Sequence, residues 1–123
     1  MAKNTPFSDI TVLDFSRYLP GGYATQVLAD LGATVIKVED TGLGDFMRHD
    51  YPTKGGGISY YITALGRNKK SVSLNLKNEE VVDWFLKMAQ EADIIVESFR
   101  PGVTAKLGID YESIKKLNPG IIY

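Results

Sequence analysis

Between Ile10 and Val38 the chain passes from a β-branched apolar run, through Pro20-Gly21-Gly22, into apolar residues at helical spacing and then into a second β-branched run. This order constrains the fold more than any other feature. Ile10-Thr-Val-Leu-Asp-Phe15 reads as a buried strand and Thr34-Val-Ile-Lys-Val38 as another. Pro20-Gly21-Gly22 breaks the first strand. Ala24, Val27, Leu28 and Leu31 then follow at helical spacing, and Gly32 is placed to end that helix. Strand, turn, helix and strand within about thirty residues make a βαβ unit, which implies a parallel strand pair with a right-handed crossover. The expected fold class is α/β, a Rossmann-like parallel sheet with flanking helices.

Beyond Glu39 the pattern loosens. Residues 40–57 are rich in glycine and poor in apolar side chains, and read as a long loop within the domain. Ile58 to Ala64 fits either helix or strand, and Gly66-Arg-Asn-Lys-Lys70 is polar. Val72, Leu74 and Leu76 alternate with Ser71, Ser73 and Asn75, as in a strand with one buried face. Asn78 is placed to cap a helix carrying Glu79 and Glu80 in its first turn. Val81, Phe85, Met88 and Ala92 form the buried stripe of that helix, with Trp84 read as core alongside Phe85 and Met88. Tyr60 and Tyr61 divide on this reading between the interior and a cleft. Ile94-Ile-Val96 is a further buried strand. A short helix follows from Val103 to Leu107, and Asp110 caps another that runs to Leu117 ahead of Pro119. Ile121-Ile-Tyr123 reads as the opening of one more strand.

Composition narrows the function classes. The chain has 123 residues, enough for one domain with a single core. Fourteen basic residues against fifteen acidic give a formal net charge of -1, which argues against a general nucleic-acid surface. The absence of cysteine removes disulfides, thiolate zinc sites and thiol nucleophiles. Met1 to Pro6 lacks the apolar run of a signal peptide, and no stretch approaches a membrane span, so a cytoplasmic location is expected. No acid spacing marks a metal site or a catalytic carboxylate pair, and the single histidine, His49, is expected as an exposed loop residue.

In open α/β sheets ligands bind beyond the carboxyl ends of the strands. Ser16 to Gly22, the segment from Glu39 onward, and Glu97 to Gly102 leave such ends. The dinucleotide fingerprint G-x-G-x-x-G is absent after the first strand, where Arg17-Tyr-Leu-Pro-Gly-Gly22 stands. Glu39, ending the second strand, occupies the place of a ribose-binding acid. Arg67, Lys69, Lys70, Lys77, Arg100 and Lys106 could either neutralise a phosphorylated ligand or form ordinary solvated surface.

Several stretches together go further. They are Ile10 to Phe15, Ala24 to Glu39, Gly44-Asp45 with Arg48, Arg67 to Val72, Leu74 to Lys77, Ala92 to Gly102, Leu107-Gly108 and Leu117-Asn-Pro119. In this order the chain resembles the amino-terminal part of the class III CoA-transferases, the group that includes formyl-CoA transferase, carnitine CoA-transferases and α-methylacyl-CoA racemase. The resemblance implies a Rossmann-like, truncated CoA-binding domain over residues 1–123 of a chain roughly three times longer, which forms a homodimer of interlocked rings. It implies CoA as substrate or ligand, a carboxylic acid as the second substrate, and no metal. It also implies a catalytic aspartate beyond Tyr123 that carries the acyl group and then CoA. Position by position, it assigns CoA contacts to Arg17, Tyr18, Leu19, Pro20, Leu74, Lys77, Ser98, Phe99, Arg100 and Lys106.

Two positions depart from the family's pattern. Asp40 stands where an arginine can lie near the nucleotide, and an acid there is expected to repel phosphate. Ser98 replaces a more usual asparagine. The alternatives are a racemase of the same family, a nicotinamide-dinucleotide domain, and a non-catalytic assembly module. A piece of an interlocked dimer is expected to expose apolar surface, and so to associate or to be marginally stable.

Overall fold

The structure, a computed structural model, describes residues 5–49, 53–54 and 57–123, with only the backbone given at 53, 54 and 58. Four of its strands form one parallel sheet: β1 (Thr11–Phe15), β2 (Thr34–Glu39), β5 (Lys69–Ser73) and β6 (Ile94–Glu97), in the spatial order β5-β2-β1-β6. Thr53–Lys54 (β3) and Ile58–Ser59 (β4) form a separate antiparallel pair. The helices are α1 (Tyr18–Asp30), α2 (Tyr60–Leu65), α3 (Glu79–Gln90), α4 (Val103–Lys106) and α5 (Tyr111–Leu117), with a 3-10 turn at Phe46–Arg48.

The expected βαβ unit is present. Leu13 of β1 lies beside Ile36 of β2 on one flank and Ile95 of β6 on the other. Ile122 adds a parallel bridge to Ile94, with the Ile95 amide donating to the Ile122 carbonyl at 2.8 Å. The order β5-β2-β1 is that of a Rossmann half, β6 adds the next strand, and Ile122 begins to extend the sheet beyond β6.

Because side chains alternate along a strand, β1 feeds both faces. Val12 packs with Ala29, Ala33 and Val35 beneath α1. Leu13 and Phe15 point the other way, into a larger core with Val38, Phe85, Ala89, Ile95, Ile109, Ile114 and Ile121. There the Phe85 ring meets the Phe15 ring edge-on, with centroids 4.8 Å apart. Asn78 caps α3 as expected, its side chain accepting from the Glu80 amide at 2.9 Å. Asp110 stands at the N-cap of α5 and accepts from the Ser113 hydroxyl. Among the described residues no helix is long and apolar enough to cross a membrane.

Several expectations are corrected. Pro20-Gly21-Gly22 does not separate strand from helix but lies in the first turns of α1. Proline is tolerated there because the first amides of a helix have no intrahelical partner. A Cβ on Gly21 would fall 2.1 Å from the Ser16 Cβ, so glycine permits this turn's close approach to the loop. The strand expected over Val72 to Leu76 begins earlier, at Lys69, and ends at Ser73. Its polar residues are accepted because Lys69 and Ser71 find partners on the α1 side of the sheet. Ile58 to Leu65 divides between strand and helix, with Ser59 capping α2. The 40–57 segment holds the 3-10 turn and half of the small antiparallel pair; 50–52 and 55–56 lie outside the described residues.

In α3, Phe85 and Ala89 are the buried positions, Met88 is half-buried, and Trp84 is 47% exposed because it falls beside the stripe. Tyr60 and Tyr61 are both exposed, so neither supplies the interior. His49 is exposed, as expected, with its Nε2 2.8 Å from the Leu43 carbonyl oxygen.

The end of α3 is closed from outside. The Asn118 side-chain amide donates to the carbonyls of Ala89 (3.0 Å), Gln90 (3.3 Å) and Ala92 (2.7 Å), which clamps α5 to α3. Carbonyls in a last helical turn lack intrahelical donors, so one side chain here satisfies several acceptors. Asn118→Ala is expected to lower stability by about 1–3 kcal/mol in urea denaturation followed by circular dichroism. An unchanged midpoint would mean that water replaces the clamp without loss.

Candidate functional site

The carboxyl ends of β1, β2, β5 and β6 converge on a groove of about 610 Å³. Phe15 and Arg17 come from β1 and its turn, Val38 to Gly42 from β2, Leu74 to Lys77 from β5, and Phe99 from the turn after β6. Its floor is apolar and its rim polar, the usual pattern of a small-molecule site.

Of the residues expected to contact ligand, Arg17, Leu74, Lys77 and Phe99 line this groove. Ser98 lies at its edge, with its hydroxyl accepting from the Arg17 amide at 2.9 Å. Lys106 lines an adjoining groove of about 420 Å³ that shares Leu76, Lys77 and Leu107 with the first. Tyr18, Leu19, Pro20 and Arg100 do not line it. Tyr18 stacks on Phe46, with centroids 5.7 Å apart and ring planes 25° apart, and carries a left-handed φ of 62°. Leu19 and Pro20 are exposed on the first turn of α1, and Arg100 is exposed in the turn before α4.

Sequence reasoning did not single out Asn75, Leu76, Val103 and Leu107 as groove residues. The available signal was the end of β5: placing it at Ser73 puts 74–77 in the loop that leaves a strand's carboxyl end.

The basic residues do not gather into one cluster. Arg67 pairs with Asp30 at 2.6 Å, and Lys69 turns inward to Asp14 at 3.2 Å. Lys77 and Lys106 have no ionic partner among the described residues and flank the grooves.

Beneath the groove, on the α1 side, lies a buried polar network. The Asp14 carboxylate accepts from the Ser16 amide (2.9 Å), the Ser16 hydroxyl, the Thr25 hydroxyl (2.6 Å) and Lys69 Nζ (3.2 Å). Lys37 Nζ donates to the Ser16 carbonyl and lies 2.7 Å from Asp45 Oδ2. Burial pushes the Lys69 ammonium pKa down, against the opposing pull of Asp14.

Glu39 is bound just as fully. Arg48 forks onto it at 2.7 and 2.6 Å, and the Asp45 amide and the Ser71 hydroxyl donate at 2.8 and 2.7 Å. The Arg48 hydrogen bonds, helped by the Asp45 amide and Ser71 and opposed by burial, draw its pKa from 4.5 to about 2. A carboxylate so occupied anchors the 40–48 segment and leaves little capacity for a ribose hydroxyl.

Strand order and groove define a Rossmann-like α/β domain with its site at the carboxyl ends of a parallel sheet. The sequence profile of CoA-transferase family III matches residues 7–123, and the chain belongs to that family. An acyl-CoA transferase of Fusarium pseudograminearum is 43% identical over 122 residues, covering 93% of this chain and 27% of that protein. The acetyl-CoA:oxalate CoA-transferase of Acetobacter aceti is 43% identical over 118 residues, covering 96% of this chain and 30% of that protein. The crystal structure of a CAIB/BAIF family protein from Brucella suis superimposes with a TM-score of 0.90 at 38% identity, covering 98% of this chain and 33% of that one. The chain thus spans less than a third of the length of these two relatives.

Glu39 yields a prediction with a definite sign. Its folded pKa lies below the ordinary value, so its contribution is fully present above about pH 4.5 and is lost as pH falls toward 2. Glu39→Gln is expected to cost about 2 kcal/mol at pH 7, allowing for solvent screening at the part-exposed Arg48. It should also flatten the decline in stability between pH 4.5 and 2. Urea midpoints across that range check this, and parallel curves for the two proteins would contradict it.

Proposed function

We propose that this chain is the CoA-binding part of a family III CoA-transferase, and that the groove at the carboxyl ends of β1, β2, β5 and β6 receives the nucleotide portion of CoA. One observation carries the reading. Arg17, Leu74, Lys77 and Phe99, which the family resemblance marks as CoA contacts, come from the three segments that leave β1, β5 and β6 and meet around one cavity. Phe99 and Leu74 offer apolar surface to a base, while Lys77, with Lys106 in the adjoining groove, offers ammonium groups to phosphate. Family membership supports CoA exchange between carboxylic acids as the reaction. The relatives named for acetyl-CoA:oxalate and formyl-CoA:oxalate exchange suggest small carboxylates as the acids.

In this reading an aspartate outside residues 1–123 attacks the acyl-CoA carbonyl and releases CoA thiolate. The thiolate then attacks the aspartyl carbonyl of the resulting mixed anhydride, forming an aspartyl-CoA thioester and expelling the donor carboxylate. The incoming carboxylate attacks that thioester, and the thiolate it displaces attacks the new acyl carbonyl, giving the product acyl-CoA and freeing the aspartate. Dividing one difficult exchange into carboxylate-mediated steps is nucleophilic catalysis. The groove residues hold CoA in place through these exchanges, and the assembled enzyme is a homodimer. Alone, the chain binds CoA without turnover.

Calorimetric titration with CoA, dephospho-CoA and NAD tests the reading. CoA is expected to bind, dephospho-CoA more weakly and NAD not at all. Lys77→Ala should weaken CoA about tenfold or more, the usual loss of a charge-assisted contact. Binding of NAD without CoA would replace this reading with a dinucleotide domain.

A further inference from the structure

Asp40 puts a carboxylate on the rim of a groove assigned to a phosphorylated ligand, and simple charge counting makes it a liability. Its surroundings point elsewhere. One oxygen, Oδ1, accepts from the Gly42 amide at 2.8 Å and shapes the turn that leaves β2. The other, Oδ2, lies 3.4 Å from Nη2 of Arg17. The Arg17 guanidinium carbon also lies 4.8 Å from the Phe46 ring centroid and 5.8 Å from that of Phe99. The main chain of the same residue is pinned where its amide donates to the Ser98 hydroxyl. The two positions that depart from the family's pattern, Asp40 and Ser98, are therefore the two that hold Arg17 by hydrogen bonds.

We propose that Asp40 is a positioning residue that holds the Arg17 guanidinium in the groove for an anionic oxygen of the ligand, so that the acid strengthens phosphate binding instead of opposing it. The inference rests on the groove being the CoA site. Magnitudes favour positioning. Asp40 and Arg17 are each about a third or more exposed, and their fields are screened by water and salt. The repulsion Asp40 exerts on a ligand phosphate farther away is weaker than its effect on a guanidinium in direct contact. An arginine side chain free to sample its rotamers must instead be ordered at the moment of binding. A guanidinium has five N–H donors, and Asp40 engages one nitrogen at its edge. The remaining donors have no partner among the described residues and stay available to ligand.

Asp40→Asn keeps the Oδ1 acceptor for Gly42 and removes the charge that holds Arg17. Calorimetry with CoA should therefore show Asp40→Asn binding about threefold more weakly than wild type, the scale of a part-exposed ion pair. In an Arg17→Ala background the same change should no longer weaken CoA, because only residual repulsion is left to remove. Thermal midpoints of all four proteins establish that each is folded. Equal or tighter binding by Asp40→Asn would overturn the proposal, as would a loss that persists without Arg17, which would make Asp40 merely structural. Absence of CoA binding by wild type would instead defeat the reading of the groove itself.

Discussion

The Asp14 carboxylate is fully buried on the central strand β1, where an uncompensated anion would cost several kcal/mol. Its donors belong to separate parts of the fold: Ser16 to the turn after β1, Thr25 to α1 and Lys69 to β5. The ion is satisfied only when these parts are together. Lys37, beside Asp14 in the strand register, carries the arrangement onward to Asp45 and so to the segment after β2. The rim of the groove is thereby held from beneath the sheet. Removing one member would leave another charge buried without its partner, which is why networks of this kind act as units.

The sheet separates two kinds of chemistry. On the α1 side, charged groups are buried and largely satisfied by one another, with Glu39, Arg48, Asp14 and Lys69 as the main members. On the α3 side the interior is apolar, and Phe15, Val38 and Leu74 carry that surface to the strand ends, where it becomes the groove floor. Lys77 and Lys106, which have no ionic partner among the described residues, stand at the rim of this second side. The asymmetry follows from strand alternation: Asp14, Lys37 and Glu39 face one way, and Leu13, Phe15 and Val38 the other.

Much of this was legible in the sequence because the signals were local. The β-branched runs, the cap at Asn78 and the capping position of Asp110 each depend on a few neighbouring residues, and each is found in the fold. The start of β5 was not legible, because Lys69 and Lys70 become strand residues only when Asp14 and Thr25 receive Lys69 from a distance. Likewise Pro20-Gly21-Gly22 has the composition of a turn, and it becomes helical through the close approach of Gly21 to Ser16. Four groove residues followed from the family resemblance. The pairing of Arg17 with Asp40 depends on the fold bringing two strand ends side by side.

The position of β1 between β2 and β6 also bears on how the chain acquires its shape during synthesis. One edge of β1 meets β2 after a short helical connection, but its other edge waits for β6, with Thr11 and Asp93 separated by 82 positions. Until the ribosome has released that distant strand, β1 presents a row of unsatisfied amides and carbonyls to solvent. Closing so long a loop costs entropy before any contact rewards it. The nascent domain thus passes through a stage when half of its central strand can pair with a stranger.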